Sequence, residues 1–253
     1  MALLDVEFLE PEAPTRKLSR KERRVKLKHH DSKPININLT LKDIKPLTLN
    51  QRKTFEYFNE GKNLLLHGYS GTGKTFLALY LALREVMSSN QYKKIVIVRS
   101  AVQSRDVGFM PGNYKEKIKQ FEDPYIQICK ELFGRGDAYT ILTNKGVVEF
   151  TTTSFLRGIT FNDCIVIIDE CQNNNFGELN TIITRMGDNS KVIISGDYRQ
   201  NDLTKKYDES GLPDFMKIIN KMKSFSRVEF EINDIVRSGT VREYIIAKEQ
   251  LCL

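Results

Sequence analysis

Cysteine is scarce in this 253-residue chain, and its four copies, Cys129, Cys164, Cys171 and Cys252, show neither a C-x-x-C step nor paired Cys/His spacing. Neither a disulfide framework nor a zinc site is expected, and Cys164, at the head of an apolar run, reads as a small core residue. Long apolar runs are missing too: none reaches the roughly 18 to 20 residues that a membrane helix requires. The opening MALLDVEFLEPEAP carries acids where a secretion signal carries bases. A cytoplasmic protein without membrane contact is expected. There is no internal repeat, and biased composition is confined to one basic stretch.

That stretch accounts for the formal net charge of +7: residues 16–33 hold nine Lys/Arg against Glu22 and Asp31, whereas the first fifteen residues hold four acids. Such a run is either a solvated, extended segment or a sequence-independent contact for nucleic-acid phosphates. His29 and His30 within it read as bystanders. The expected organisation is a flexible basic arm over 1–33 and one α/β domain over 34–253, long enough to bury a full core.

The domain is organised around NLLLHGYSGTGKTFLALYLAL, residues 63–83. Gly68, Gly73, Lys74 and Thr75 fit G-x-x-x-x-G-K-[ST], preceded by an apolar strand and followed by an apolar pattern at helical spacing. A phosphate chain needs several donors converging from a backbone that can approach closely. Gly68, Gly71 and Gly73 allow that approach, and the helix starting near Lys74 adds its amino-terminal amides and dipole. Ser70, Thr72 and Phe76 complete the set expected to touch the nucleotide. Lys74 is placed for the β and γ phosphates and the Thr75 hydroxyl for Mg2+.

The second half of such a site lies almost a hundred residues on. CIVIID, residues 164–169, is a buried strand running into Asp169 and Glu170. Asp169 suits a metal ligand acting through water, and Glu170 can orient or deprotonate an attacking water. KVIIS, residues 191–195, is a further strand followed by Gly196, Asp197 and Gln200, and ligands gather at the carboxyl ends of parallel strands.

Other elements follow from the pattern. Thr48 is the N-cap of a helix through LNQRKTFEYFN that turns Leu49, Phe55 and Phe58 inward, leaves Gln51 exposed and ends at Gly61. The alternation Ile35, Ile37, Leu39, Leu41 suggests an edge strand or one lent to a neighbour. Strands are expected at 94–99, near Ile141 and 147–150 as a hairpin or edge strand, and at 228–232. Helices are expected to about Phe133, and over 179–186, 215–222 and 240–251. Fold class is therefore α/β, a mostly parallel sheet with helices on both faces.

With these pieces placed, the chain resembles the PhoH-like ATPase family, whose domain is close to the first RecA-like domain of superfamily-one helicases. The resemblance runs from about Leu47 to the carboxyl terminus. It rests on the phosphate loop, Arg99-Ser100-Ala101 followed by GFMPG, Ser154-Phe155-Leu156-Arg157-Gly158, Asp169-Glu170-Cys171-Gln172-Asn173, Thr184-Arg185-Met186-Gly187, Gly196-Asp197-Tyr198-Arg199-Gln200 and Val236-Arg237. Ser100 and Cys171 depart from the family's usual proline and alanine.

The resemblance implies that Gln51 reads adenine, that Gln200 senses the γ-phosphate or positions water, and that Arg237, Arg157 or Arg185 stabilises charge. It also implies ATP with Mg2+ and single-stranded RNA or DNA as partners, coupled to translocation or remodelling. A single RecA-like domain leaves half of a helicase-type site unfilled, so a neighbouring copy in a ring, most simply a hexamer, is expected to supply an arginine. A slow nucleotide-dependent switch or scaffold is the alternative, with Glu170 speaking for hydrolysis. The D-E-C-Q-N and G-D-x-x-Q pieces speak against a small-molecule kinase, and no acid cluster for nuclease chemistry is left over. Phe109, Tyr114 and Phe155 are available to stack bases.

Overall fold

Short runs of branched apolar residues build a parallel sheet, since a strand buried on both faces has no need to alternate polar and apolar residues. The computed structural model describes residues 37–100, 114–156, 158–197 and 211–251, with backbone alone for 114–118, 249 and 250. Among them, β1 (Asn63–Gly68), β2 (Lys94–Arg99), β3 (Val148–Thr152), β4 (Cys164–Asp169), β5 (Lys191–Gly196) and β6 (Phe225–Phe230) pair in the order β3-β2-β4-β5-β1-β6. Every neighbouring pair is parallel. The compact unit containing them runs from Pro34 to Leu253.

Alternate residues of each strand feed two separate cores. Leu64, Leu66, Ile95, Ile97, Ile165, Ile167 and Ile193 face one side. There they meet Phe58 of α1 (Leu49–Asn59), the Leu77–Val86 stripe of α2 (Lys74–Ser88), Tyr125, Cys129 and Leu132 of α3 (Tyr114–Phe133), and Leu142 of α4 (Ala138–Asn144). Leu65, Val96, Val98, Val166, Ile168, Val192 and Ile194 face the other. They pack on Leu179 and Ile182 of α5 (Phe176–Ile183) and on Leu212, Phe215 and Ile219 of α6 (Leu212–Ile219). A last helix, α7 (Gly239–Gln250), closes the chain.

The register decides where the site falls. β5 lies between β1 and β4, pairing Leu66 with Ser195 on one side and Ile168 with Ile194 on the other. The loop after β1 and the acids after β4 are therefore two strand spacings apart, on the order of 10 Å, with the end of β5 between them. Gly196 makes that arrangement possible, because a Cβ there would stand 2.5 Å from Cys171 Sγ and 2.6 Å from Gln172 Oε1.

Several expectations need correction. Leu49 is 64% exposed, and the buried stripe of α1 is instead Gln51, Thr54 and Phe58. Two of its three members are polar, with Thr54 Oγ1 donating to Asn50 O at 2.8 Å; Phe58 is buried and Phe55 packs against the first core as expected, so apolar spacing misplaced Leu49 alone. Residues 37–47 form no strand; Ile37, Leu39, Leu41 and Ile44 pack irregularly against the first core. Ile35 lies outside the described residues.

Ile141 belongs to α4, and β3 is a parallel edge strand with no hairpin partner. α5 starts earlier than its apolar residues suggest because Asn175 and Glu178 form a reciprocal capping box. Likewise α6 opens one residue before Pro213 and ends at Ile219, and β6 begins at Phe225. The sheet is wholly parallel among the described strands.

Three thiols illustrate the core. Burial pushes Cys164 up to about 11 and Cys129 up to about 12, and raises Cys171 as well. All three are free. At pH 8 in native buffer a thiol-titrating reagent should leave Cys129, Cys164 and Cys171 unmodified over minutes, and all three should react once guanidinium is added. Fast labelling of any of them in the native protein would contradict the buried placement.

Candidate functional site

The turn after β1 folds as its glycines suggest, with Gly71 and Gly73 at φ of +75° and +86°. Gly73 caps α2 in the left-handed region and no side chain caps the helix, so its first amides face the loop. The loop is held from within. Thr72 is buried and donates to Tyr69 O at 2.9 Å, while Lys74 Nζ donates to the carbonyls of Gly68 at 2.8 Å and Tyr69 at 2.6 Å. Burial lowers the Lys74 pKa, opposed in turn by Asp197, Glu170 and Asp169. An ammonium so poorly solvated gains strongly from a nearby anion.

Across β5, Asp169 is 3% exposed and takes three hydroxyl donors. Its Oδ1 accepts from Thr75 Oγ1 at 2.8 Å and from Ser195 Oγ at 2.7 Å, and its Oδ2 accepts from Tyr125 OH at 2.8 Å. Burial first, then the Asp169 charge, raises the Tyr125 phenol well above its usual value, so it stays a donor. Glu170 follows in the left-handed conformation, φ 50° and ψ 46°, a strained backbone of the kind that gathers at functional sites. Gln172 Nε2 donates to Glu170 Oε2 at 2.6 Å while its Oε1 accepts from Asp197 N at 3.0 Å, tying the acid to the end of β5. Burial, then Asp169, raises the Glu170 pKa; the Gln172 amide, Arg99 and Lys74 act against that rise.

The loop and the acids border one cavity of about 630 Å³. Ser70, Gly71, Gly73, Lys74, Thr75, Phe76, Gln51, Asp169, Glu170, Asp197 and Arg237 all line it, with Arg99 from the end of β2. Gly68 and Thr72 shape the loop without lining it. Gln51 is 4% exposed against the expectation of a surface residue, because its amide is bonded at both ends: Oε1 accepts from Leu47 N at 2.8 Å and Nε2 donates to Thr72 O at 3.2 Å. One lone pair on its oxygen and one hydrogen on its nitrogen remain. Opposite it, Val236 N donates to Gly71 O at 3.1 Å, bringing Arg237 over the loop. Asn50 Nδ2 donates to Asp234 Oδ2 at 2.7 Å and fixes the two flanks to each other.

Arg185 sits elsewhere. Its backbone O accepts from Phe161 N and its Nη1 donates to Ile159 O at 3.1 Å, next to the Phe161–Met186 bridge that precedes β4 and β5. That is the amino edge of the sheet, away from the cavity. Arg157, Gln200, the GFMPG segment with Phe109, the basic arm and Cys252 lie outside the described residues, as does the side chain of Tyr114. Phe155 is half exposed. Sequence reasoning missed Tyr125, Ser195 and the bridging Gln172. A serine at the end of a strand beside the acid strand was one available signal and the place of Gln172 in the D-E-C-Q-N piece another, whereas a tyrosine inside an amphipathic helix gives none.

A divalent ion fits this set in one particular way. Among the described residues there is no cluster of three or more His, Cys, Asp or Glu able to hold a metal alone. One hydroxyl and one carboxylate 2.8 Å apart beside a phosphate cradle suit Mg2+, which takes few protein ligands and completes its shell with phosphate and water.

Fold and site together define a P-loop nucleoside-triphosphatase domain in which one strand separates the loop strand from the acid strand. The chain belongs to the PhoH-like protein family, whose model matches residues 43–249. It is 32% identical over 217 residues to a PhoH-like protein of Bacillus subtilis (strain 168), covering 85% of this chain and 67% of that one. It is also 32% identical over 210 residues to a PhoH-like protein of Mycobacterium leprae (strain TN), covering 81% and 58%. The chain thus spans about three-fifths to two-thirds of these relatives. Among solved structures it is similar to the large terminase of a thermophilic bacteriophage, with a TM-score of 0.47 and 11% identity over 79% of this chain and 50% of that one.

Inorganic tripolyphosphate with Mg2+ at about a hundred times its dissociation constant should stabilise the folded state by about 2.7 kcal/mol. That is roughly 5 to 10 °C in melting temperature for a domain of this size. Lys74→Ala should abolish the shift, and an equal shift in both proteins would contradict the assignment of the loop.

Proposed function

We propose that this protein is a Mg-dependent ATPase that works on single-stranded nucleic acid, RNA or DNA, as a ring of identical subunits. The observation that carries the nucleotide half is the Thr75–Asp169 bond of 2.8 Å in the cavity that also holds Lys74 and Glu170. ATP seats its triphosphate on the amides of the 68–75 loop and on Lys74, whose burial favours that anion. The spare acceptor and donor of Gln51 suit the amino group and N7 of adenine, the pairing an amide makes with that base. Thr75 and Asp169 hold Mg2+, which neutralises charge on the phosphates.

Glu170 takes the proton of the attacking water. Its raised pKa brings it nearer the working range of a general base, and Gln172 holds its carboxylate in place. Gln200 is assigned to the γ-phosphate end. Arg237 lies on the rim of its own cavity, and Arg157 is assigned with it as a charge stabiliser. Arg185, on the opposite edge of the sheet, can serve only a neighbour's site. A stabilising arginine is worth about 10^3 to 10^5 in rate, and a head-to-tail ring delivers one from the adjacent copy. The nucleic-acid half is supported by the basic charge concentrated over residues 16–33 and by the loops that leave the carboxyl edge of the sheet.

Turnover of Glu170→Gln should fall by roughly 10^2 to 10^4 with nucleotide binding retained, and the wild type should be stimulated by single-stranded RNA or DNA at low salt. Diluting the protein until it is demonstrably monomeric should lower turnover per subunit. A Glu170→Gln rate near wild type would contradict the catalytic assignment. Absence of stimulation, or constant turnover in the monomer, would contradict the nucleic-acid and ring assignments respectively.

A further inference from the structure

Of the three hydroxyls on Asp169, Ser195 is placed by the register of β5 against β1, and Thr75 by the first turn of α2 directly after the β1 loop. The third comes from Tyr125, in the middle of a helix that no strand pairing fixes. We propose that Tyr125 is a positioning residue for metal binding, setting the plane of the Asp169 carboxylate and making α3 a working part of the magnesium site. The proposal rests on the nucleotide reading above and adds a residue to it.

A carboxylate can turn about its Cβ–Cγ bond, and a metal ligand is useful only when that turn is fixed. With Thr75 and Ser195 both on Oδ1, that oxygen is located but the plane can still swing about it. The bond from Tyr125 to Oδ2 removes the swing and leaves the one unshared lone pair of Oδ2 at a set angle to the Thr75 hydroxyl. Donors that orient a metal ligand in this way commonly account for 10- to 100-fold in metal affinity.

Packing alone does not call for the hydroxyl. Tyr125 is 1% exposed, and its ring stands 5.7 Å from that of Phe150 in the first core. A phenylalanine would fill the same space without a buried polar atom to satisfy. The hydroxyl is accounted for by the carboxylate it meets. Nor is the contact isolated: Arg99, which lines the cavity, lies with its guanidinium 5.6 Å from the Phe121 ring one turn earlier on α3. Pro124, Gln127 and Ile128 of the same helix form a wall of the cavity. At the other end, Lys42 N donates to Leu132 O at 3.0 Å. A displacement of α3 therefore reaches Asp169 through one short bond.

The test is Tyr125→Phe in the full chain, with folding checked by circular dichroism and melting. Binding of a fluorescent ATP analogue is measured in EDTA and across a Mg2+ titration, alongside turnover. The expected result is unchanged affinity in EDTA and a Mg2+ half-saturation raised about tenfold or more, with turnover largely recovered at saturating Mg2+. Phe150→Leu, which disturbs the packing but keeps the hydroxyl, should move the Mg2+ midpoint less than twofold. Ser195→Ala removes a donor from the other oxygen and should raise the midpoint as well, which keeps the claim testable should Tyr125→Phe not fold.

A folded Tyr125→Phe whose Mg2+ curve overlays the wild type would overturn the proposal. So would Phe150→Leu and Tyr125→Phe shifting alike, or Ser195→Ala leaving the midpoint in place if that variant alone can be measured. A wild type whose nucleotide binding ignores Mg2+ would sink the nucleotide reading and this inference with it, whereas Mg2+ dependence in the wild type alongside an indifferent Tyr125→Phe sinks only the inference.

Discussion

The bond from Thr75 to Asp169 joins residues 94 apart in the chain, and the placement of the sheet and its helices can be understood from what that bond requires. The two residues follow strands that are not neighbours: β5 is interposed, so the hydroxyl must reach over the end of a third strand. Three features allow it. β5 ends in Gly196, which gives Cys171 and Gln172 room to pass. Its last hydroxyl, Ser195, points to the same carboxylate. α2 begins at once after the loop, which puts Thr75 in its first turn. A bulkier residue at 196 or a one-residue slip of β5 would separate the two halves of the site.

The electrostatics follow from the same geometry. Three acids and one lysine meet at the wall of one cavity, all but Glu170 buried, and burial works against the charged form of each group it perturbs there, lowering Lys74 and raising Glu170. Such a site has more to gain from a polyphosphate and a divalent ion than an exposed one. The buried hydroxyls and the Gln172 amide hold the carboxylates in fixed directions, so little reorganisation remains to be done when a ligand arrives.

Much of this was legible in the sequence because it resides in short, local patterns. The 63–83 stretch names its strand, turn and helix by composition, and CIVIID names a buried strand ending in acids. The strand positions at 94–99 and 191–195 were equally plain, since branched apolar runs of that length have few other uses. What could not be read there is contact across the fold. The burial of Gln51 depends on Leu47 and Thr72 backbone groups that complete its hydrogen bonds, and no periodicity signals that. Leu49 looked inward because a polar stripe of Gln51 and Thr54 is invisible to an apolar count. The irregular packing of residues 37–44 mimicked strand alternation by chance. Tyr125 had no signal at all: its partner is 44 positions away and its helix would look the same with phenylalanine.

The central claim is that one divalent ion is shared between Asp169, Thr75 and a nucleotide's phosphates. Electron–nuclear double resonance on Mn2+ in place of Mg2+, with a non-hydrolysable ATP analogue, tests it directly. Bound Mn2+ should show phosphorus coupling in the wild type, and Asp169→Asn should retain the nucleotide while losing that signal. Nucleotide bound with no phosphorus-coupled Mn2+, or an identical spectrum from Asp169→Asn, would contradict it.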